Sequence, residues 1–194
     1  MKFICPGCGR TGELIWGTEE PPKVQTRTVF STFGPKDAYN LSGGRAVVDG
    51  MNACSVAELF IPSESGKLSR IEFAVYRSPL SQDLAVLRAV QLYNATVDLR
   101  IGELLTVLPA IKPRVRTPNA AATIEILDIP ADMSLNLVAG KPYWLALAHN
   151  PTGATRDVWN FSSSTIGRSA LTATNGGWSY LSNNQSCAFR VGVV

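Results

Sequence analysis

Ala139-Gly140-Lys141-Pro142-Tyr143-Trp144-Leu145-Ala146-Leu147-Ala148 is the stretch that decides the fold. A Gly-Lys-Pro turn runs straight into aromatic and aliphatic residues, and His149-Asn150-Pro151-Thr152-Gly153 closes the run with a second cluster of turn formers. The apolar segment is too short to cross a bilayer and carries no helical stripe. A short apolar run bounded by turns predicts a strand buried in the middle of a sheet.

Working outward, the same grammar recurs. Leu68–Tyr76 alternates, with Ile71, Phe73 and Val75 on one face and Arg70, Glu72 and Ala74 on the other. Val24–Phe33 alternates and is rich in β-branched residues, so it predicts the first strand of the body. Val86, Arg88, Val90 and Leu92 alternate within a predicted strand at 85–93. Further strands are predicted at Glu103–Leu108, Thr123–Ile129, Val158–Phe161 and Cys187–Val193. Loops are predicted at Tyr39–Gly44, Ser162–Ser164 and Ser182–Ser186, where polar residues cluster, with a hairpin turn at Asn175-Gly176-Gly177.

Twelve prolines and sixteen glycines in 194 residues suit many short strands and turns. The expected fold class is all-β: an antiparallel β-sandwich, jelly-roll-like, with an extended N-terminal arm. Residues 1–23 form the arm and its Glu19-Glu20-Pro21-Pro22 linker, and residues 24–194 form the sandwich. Only 17% of residues are charged and the net charge is +3, too small and too dispersed to argue for nucleic acid. No run approaches the length of a membrane span, and the N-terminus shows no apolar core of a signal peptide.

Three motifs carry candidate chemistry. Cys5-Pro6-Gly7-Cys8-Gly9 has the form of half a zinc ribbon, because its turn aims both thiolates at one point. The second half is missing. Three readings stand: a plain turn with free thiols or a local disulfide, a zinc site at Cys5 and Cys8 completed from Cys54 and Cys187 or by another subunit, and a redox pair. Zinc is the one cofactor this motif suggests; no other is expected. Lys112, Arg114 and Arg116 occupy alternate positions of a proline-rich segment, either a basic finger for an acidic partner or a solvated loop. Trp178 and Tyr180 share a strand face beside polar loops, as a ligand platform would, or else fill core; Trp144 and Trp159 are expected in the core.

Catalytic devices are sparse. The single histidine, His149, lies in a turn, the carboxylates are scattered singly, and no phosphate-binding loop is present. No enzyme is expected. Cys54 and Cys187 also suit a core, where free Cys packs as a small hydrophobe.

The order of segments resembles the choice-of-anchor type β-sandwich of bacterial surface proteins. The residues that carry the likeness are Phe33-Gly34-Pro35 with Asp37, Tyr39 and Asn40; Val90-Gln91-Leu92-Tyr93; Ala139-Gly140 leading to Tyr143-Trp144; Trp159; Gly176-Gly177-Trp178; and Ala188-Phe189-Arg190-Val191. It spans roughly residues 28–194. The resemblance implies a secreted, non-enzymatic sandwich and supplies no catalytic residues. This chain differs in its CPxCG arm and in showing neither a signal peptide nor a sorting tail.

Two functions follow as expectations. The first is a decorating or cementing subunit of a larger assembly such as a phage virion, made in the cytoplasm and found on the particle. Its partners would be other protein subunits, through homo-oligomer formation or docking. The second is a carbohydrate-binding or adhesive module at a bacterial surface, with a glycan as partner.

Overall fold

The computed structural model describes residues 2–4, 11–13, 25–49, 53–79, 81, 87–115, 124–150, 155–172 and 177–194. Fourteen strands are described, with one short 3-10 turn, Pro35–Asp37, and no α-helix among the described residues. Among the described residues, strands β1 (Lys2–Ile4) and β2 (Thr11–Glu13) pair only with each other. The remainder are β3 (Arg27–Ser31), β4 (Tyr39–Val48), β5 (Val56–Phe60), β6 (Gly66–Arg77), β7 (Arg88–Ala95), β8 (Ile101–Ile111), β9 (Ile124–Asp128), β10 (Asn136–Leu137), β11 (Tyr143–Leu147), β12 (Arg156–Thr172), β13 (Trp178–Cys187) and β14 (Phe189–Val193).

These twelve pair antiparallel and fold into a two-layered sandwich, with no closed barrel among the described residues. β12 makes the fold possible. Its first half lies between β4 and β6, and its second half lies between β13 and β5. One layer therefore runs β13-β12-β5-β11-β7-β8, and the other gathers β3, β14, β6, β9 and β4 around the start of β12. Side chains meet between the layers: the Phe60 ring of β5 is 6.1 Å from that of Phe189 on β14 and 5.6 Å from that of Phe30 on β3.

Strand periodicity fills this core. Tyr143, Leu145 and Leu147 of β11 point inward to join Val56, Phe60, Val90, Leu92, Ile71, Phe73, Val75 and Trp159. Trp144 and Ala146 point the other way and are also buried, in a second small cluster with Ala57 and Ala170. β11 is thus covered on both faces, as its continuous apolar run predicts. Trp144 and Trp159 are both fully buried.

The second cluster has a geometric cause. Tyr180, Ala170, Ala57 and Ala146 lie side by side across β13, β12, β5 and β11. Three alanines in a row leave a trough on the outer face. The aromatic side chains that flank it fold over the trough: Trp144 meets Tyr180 edge-on at 5.8 Å, and Tyr93 meets Trp178 at 6.3 Å. The layer curls so far that the Tyr180 hydroxyl of β13 accepts a hydrogen bond from the Ile101 amide of β8, at 3.0 Å. The two outermost strands of that layer meet over its outer face.

Three expected loops are strand instead. Tyr39–Gly44 belongs to β4, paired with β12; Ser162–Ser164 continues β12; and Ser182–Ser186 lies within β13. Polar residues read as loop when taken locally, but β4 pairs with β12 from a distant part of the chain, and β12 and β13 pair with each other across a hairpin. The expected strand at 103–108 is longer, running through Pro109 to Ile111. Of the predicted hairpin turn, Asn175 and Gly176 lie outside the described residues; the strands on either side pair as a hairpin, Thr172 with Trp178.

Candidate functional site

The seam where β13 meets the β7–β8 turn forms a groove of about 310 Å³ lined by Asp98, Leu99, Arg100, Arg168, Tyr180 and Leu181. The turn itself is built locally. The Leu99 amide bonds to the Thr96 carbonyl at 2.9 Å, the Thr96 amide to the Arg100 carbonyl at 2.9 Å, and the Arg100 amide to the Thr96 hydroxyl at 3.1 Å. Leu99 adopts φ 57°, a left-handed conformation that costs a side-chain-bearing residue of this kind about 1 kcal/mol or more. The turn thereby brings Asp98, Leu99 and Arg100 to one wall of the groove. The Arg100 guanidinium sits 5.6 Å from the centre of the Tyr180 ring, in cation–π range. Arg168, from β12, is exposed and also lines the groove.

The predicted aromatic pair divides here. Tyr180 is 38% exposed and faces the groove, its hydroxyl held by Ile101. Trp178 is half-buried and packs on Tyr93 as part of the outer cluster. Asp98, Arg100 and Arg168 were not legible as site residues. They come from two segments far apart in sequence, and only the curl of the layer joins them.

The other candidates fall elsewhere. Cys5, Cys8 and Arg116 lie outside the described residues. Lys112 is exposed. Arg114 is exposed and pairs with Glu125 at 3.5 Å, while its carbonyl accepts the Arg77 amide at 2.7 Å. Cys187 is fully buried and Cys54 partly so, each thiol directed at a backbone carbonyl at 3.5 Å, of Trp159 and Ser55 respectively. Burial pushes both thiols above their ordinary range, which disfavours the thiolate a metal needs. Among the described residues, no group of three or more His, Cys, Asp or Glu is placed to hold a metal. His149 is engaged with Ser55: its Nδ1 lies 2.8 Å from the serine oxygen, which also accepts the His149 amide at 3.0 Å. Both contacts fasten the loop after β11 to the start of β5.

Two buried charged groups were missed from sequence. At one end of the core, Arg88 bonds to Asp157, Asp49 and Thr155, and Arg77 bonds to Asp157 at 2.9 and 3.3 Å. Thr155 and the Asn150 amide complete the shell of Asp49. Burial alone would raise the Asp49 carboxyl, but hydrogen bonds from Arg88, Thr155 and Asn150 outweigh it and hold it below its usual value. In mid-core, Glu58 is fully buried between Val56 and Phe60 on the inward face of β5. Among the described residues, neither of its carboxylate oxygens has a hydrogen-bond partner, and Arg45 approaches only to 3.7 Å. Burial pushes its carboxyl up to about 7, against smaller opposing effects from the nearby Cys187 thiol, Ser169 hydroxyl and Arg45.

Among the described residues, no helix is long and apolar enough to cross a membrane. Comparison of this chain with family models, with curated proteins and with solved structures finds no match, so the groove and the two buried clusters stand on their own geometry.

Proposed function

We propose that this protein is a non-catalytic structural subunit that decorates or cements a larger assembly such as a phage particle, and that it associates with copies of itself through the open edge of β8. One observation carries the reading. β8 is eleven residues long, and among the described residues its only ladder is with β7, its other edge being met at Ile101, whose amide bonds to the Tyr180 hydroxyl. Leu104 and Val107 are close to half exposed along it. A long strand edge with exposed aliphatic side chains invites pairing with another chain, and natural sheets usually blunt such edges with charge or cover them. The arginines and aspartates at the core end are occupied with one another, which supports a non-catalytic reading of that cluster.

The test is native mass by light scattering after size exclusion. Wild type is expected as a trimer or larger, and Val107→Lys, which places a charge on the edge, as a monomer with an unchanged melting temperature. A monomeric wild type, or an oligomer indifferent to Val107→Lys, overturns association through β8. A form beginning at Lys23 tells whether the arm contributes to the same contact.

A second reading, a carbohydrate-binding module of a bacterial surface, is favoured by Tyr180. It is the exposed member of the aromatic pair and it faces a groove furnished with charged side chains.

A further inference from the structure

The groove at the β8–β13 seam has a chemistry more specific than aromatic exposure. Arg100 and Arg168 are two guanidinium groups on its walls, and among the described residues neither forms an ion pair or a side-chain hydrogen bond. Elsewhere on this surface four arginines are matched, Arg27 with Glu64, Arg70 with Asp128, Arg114 with Glu125, and Arg190 with Glu72 and Asp37, while Arg156 is exposed and, among the described residues, without an ion pair. Arg100 is moreover restrained by Tyr180 beneath it, and Tyr180 is restrained by Ile101, so its fork of donors is held rather than swinging free. Asp98 adds one acceptor, and Leu99 and Leu181 add aliphatic surface.

We propose that this groove binds a sugar that carries a carboxylate, such as a uronic acid residue of an acidic glycan. The two arginines take the carboxylate, which matches a guanidinium in planar, two-toothed geometry. Asp98 accepts hydrogen bonds from ring hydroxyls. The leucines cover the C–H faces of the sugar, and the Tyr180 ring carries Arg100. A net positive pair beside a single acceptor suits an anion with hydroxyls better than a neutral sugar. The volume is at the lower end of the range for small-molecule sites, about 300 Å³, which suits a short saccharide rather than a long chain. The inference rests on the carbohydrate-binding reading above and adds the charge of the ligand to it.

The experiment uses the full chain with amide chemical shifts recorded by NMR, and D-glucuronate and D-glucose as matched probes at millimolar concentration. Glucuronate is expected to shift resonances of 98–101 and 180–181, with glucose at least about tenfold weaker, as a lost charge-assisted contact implies. Arg168→Gln, on an exposed side chain, is expected to weaken glucuronate by about tenfold and to leave glucose unchanged. Equal binding of both sugars, indifferent to Arg168→Gln, overturns the acidic-ligand inference while leaving carbohydrate binding in place. Shifts from neither sugar overturn both. Glutamate shifting the same resonances as strongly as glucuronate also overturns the proposal, because the groove would then recognise a carboxylate without the sugar.

Discussion

The two buried charged clusters are built from the same kinds of residue and differ in how they are completed. At the core end, two arginines and two aspartates face one another, and Thr155 and the Asn150 amide fill the remaining positions. In mid-core, Glu58 has one distant arginine and no hydrogen bond. A buried ion needs both an opposite charge and partners for its remaining lone pairs. The first cluster meets both needs and keeps Asp49 ionised. The second meets neither in full, so its carboxyl shifts towards the neutral form.

The largest break in this comparison comes from Asp157, which accepts from both Arg77 and Arg88. Asp157→Ala leaves two guanidiniums buried without it and is expected to cost about 3–5 kcal/mol in urea unfolding, or to prevent folding. Asp157→Asn keeps one acceptor and the shape and is expected to lose less. A loss below about 1 kcal/mol for the alanine variant shows that the cluster is not closed as described.

Glu58 gives the next effect, with the opposite sign. Its folded value of about 7 lies above the ordinary 4.5, so the folded state holds its proton more tightly than the unfolded chain does. Its contribution is therefore fully favourable below pH 4.5 and is lost as pH rises through about 7. Glu58→Gln is expected to flatten that part of the stability profile and, at a pH of about 8, to stabilise the fold by about 3 kcal/mol. Thermal melts of both proteins across this window check it. Parallel profiles would mean that the carboxyl stays ionised in the core.

The smallest effect sharpens the contrast with the surface. Arg70 and Asp128 pair at 2.7 Å, with the aspartate 70% exposed. Asp128→Ala is expected to change stability by less than about 1 kcal/mol, because water and side-chain entropy offset an exposed ion pair. A loss comparable to that of Asp157→Ala would remove burial as the explanation for the difference.

The core-end cluster was missed although its residues obey the strand alternation. Arg88 shares a strand face with Val90 and Leu92, and Arg77 follows Ile71, Phe73 and Val75 at the same spacing of two. Asp157 and Asp49 stand in that relation to Trp159 and Val47. Each charge therefore sits on an inward face, one step past the last apolar residue. What one strand does not reveal is that four such ends converge. The polar strands β4 and β13 were hidden for a related reason. Their side chains carry no apolar alternation; β4 bonds to β12, which lies far away in sequence, and β13 bonds to the same strand across a hairpin.

Residue patterning along the chain specifies the all-β class, the doubly buried strand Tyr143–Leu147 and the inward faces of β6 and β7. Those properties follow from local spacing and from the turns that bound each run. Only the tertiary structure decided where the charged ends meet, which of Trp178 and Tyr180 faces solvent, and which arginines share a groove with that tyrosine. Each of those depends on β12 passing between layers and on a row of alanines that lets one layer curl until its outermost strands touch. Curl and crossing are sums over many distant pairings, and no single stretch of the chain encodes them.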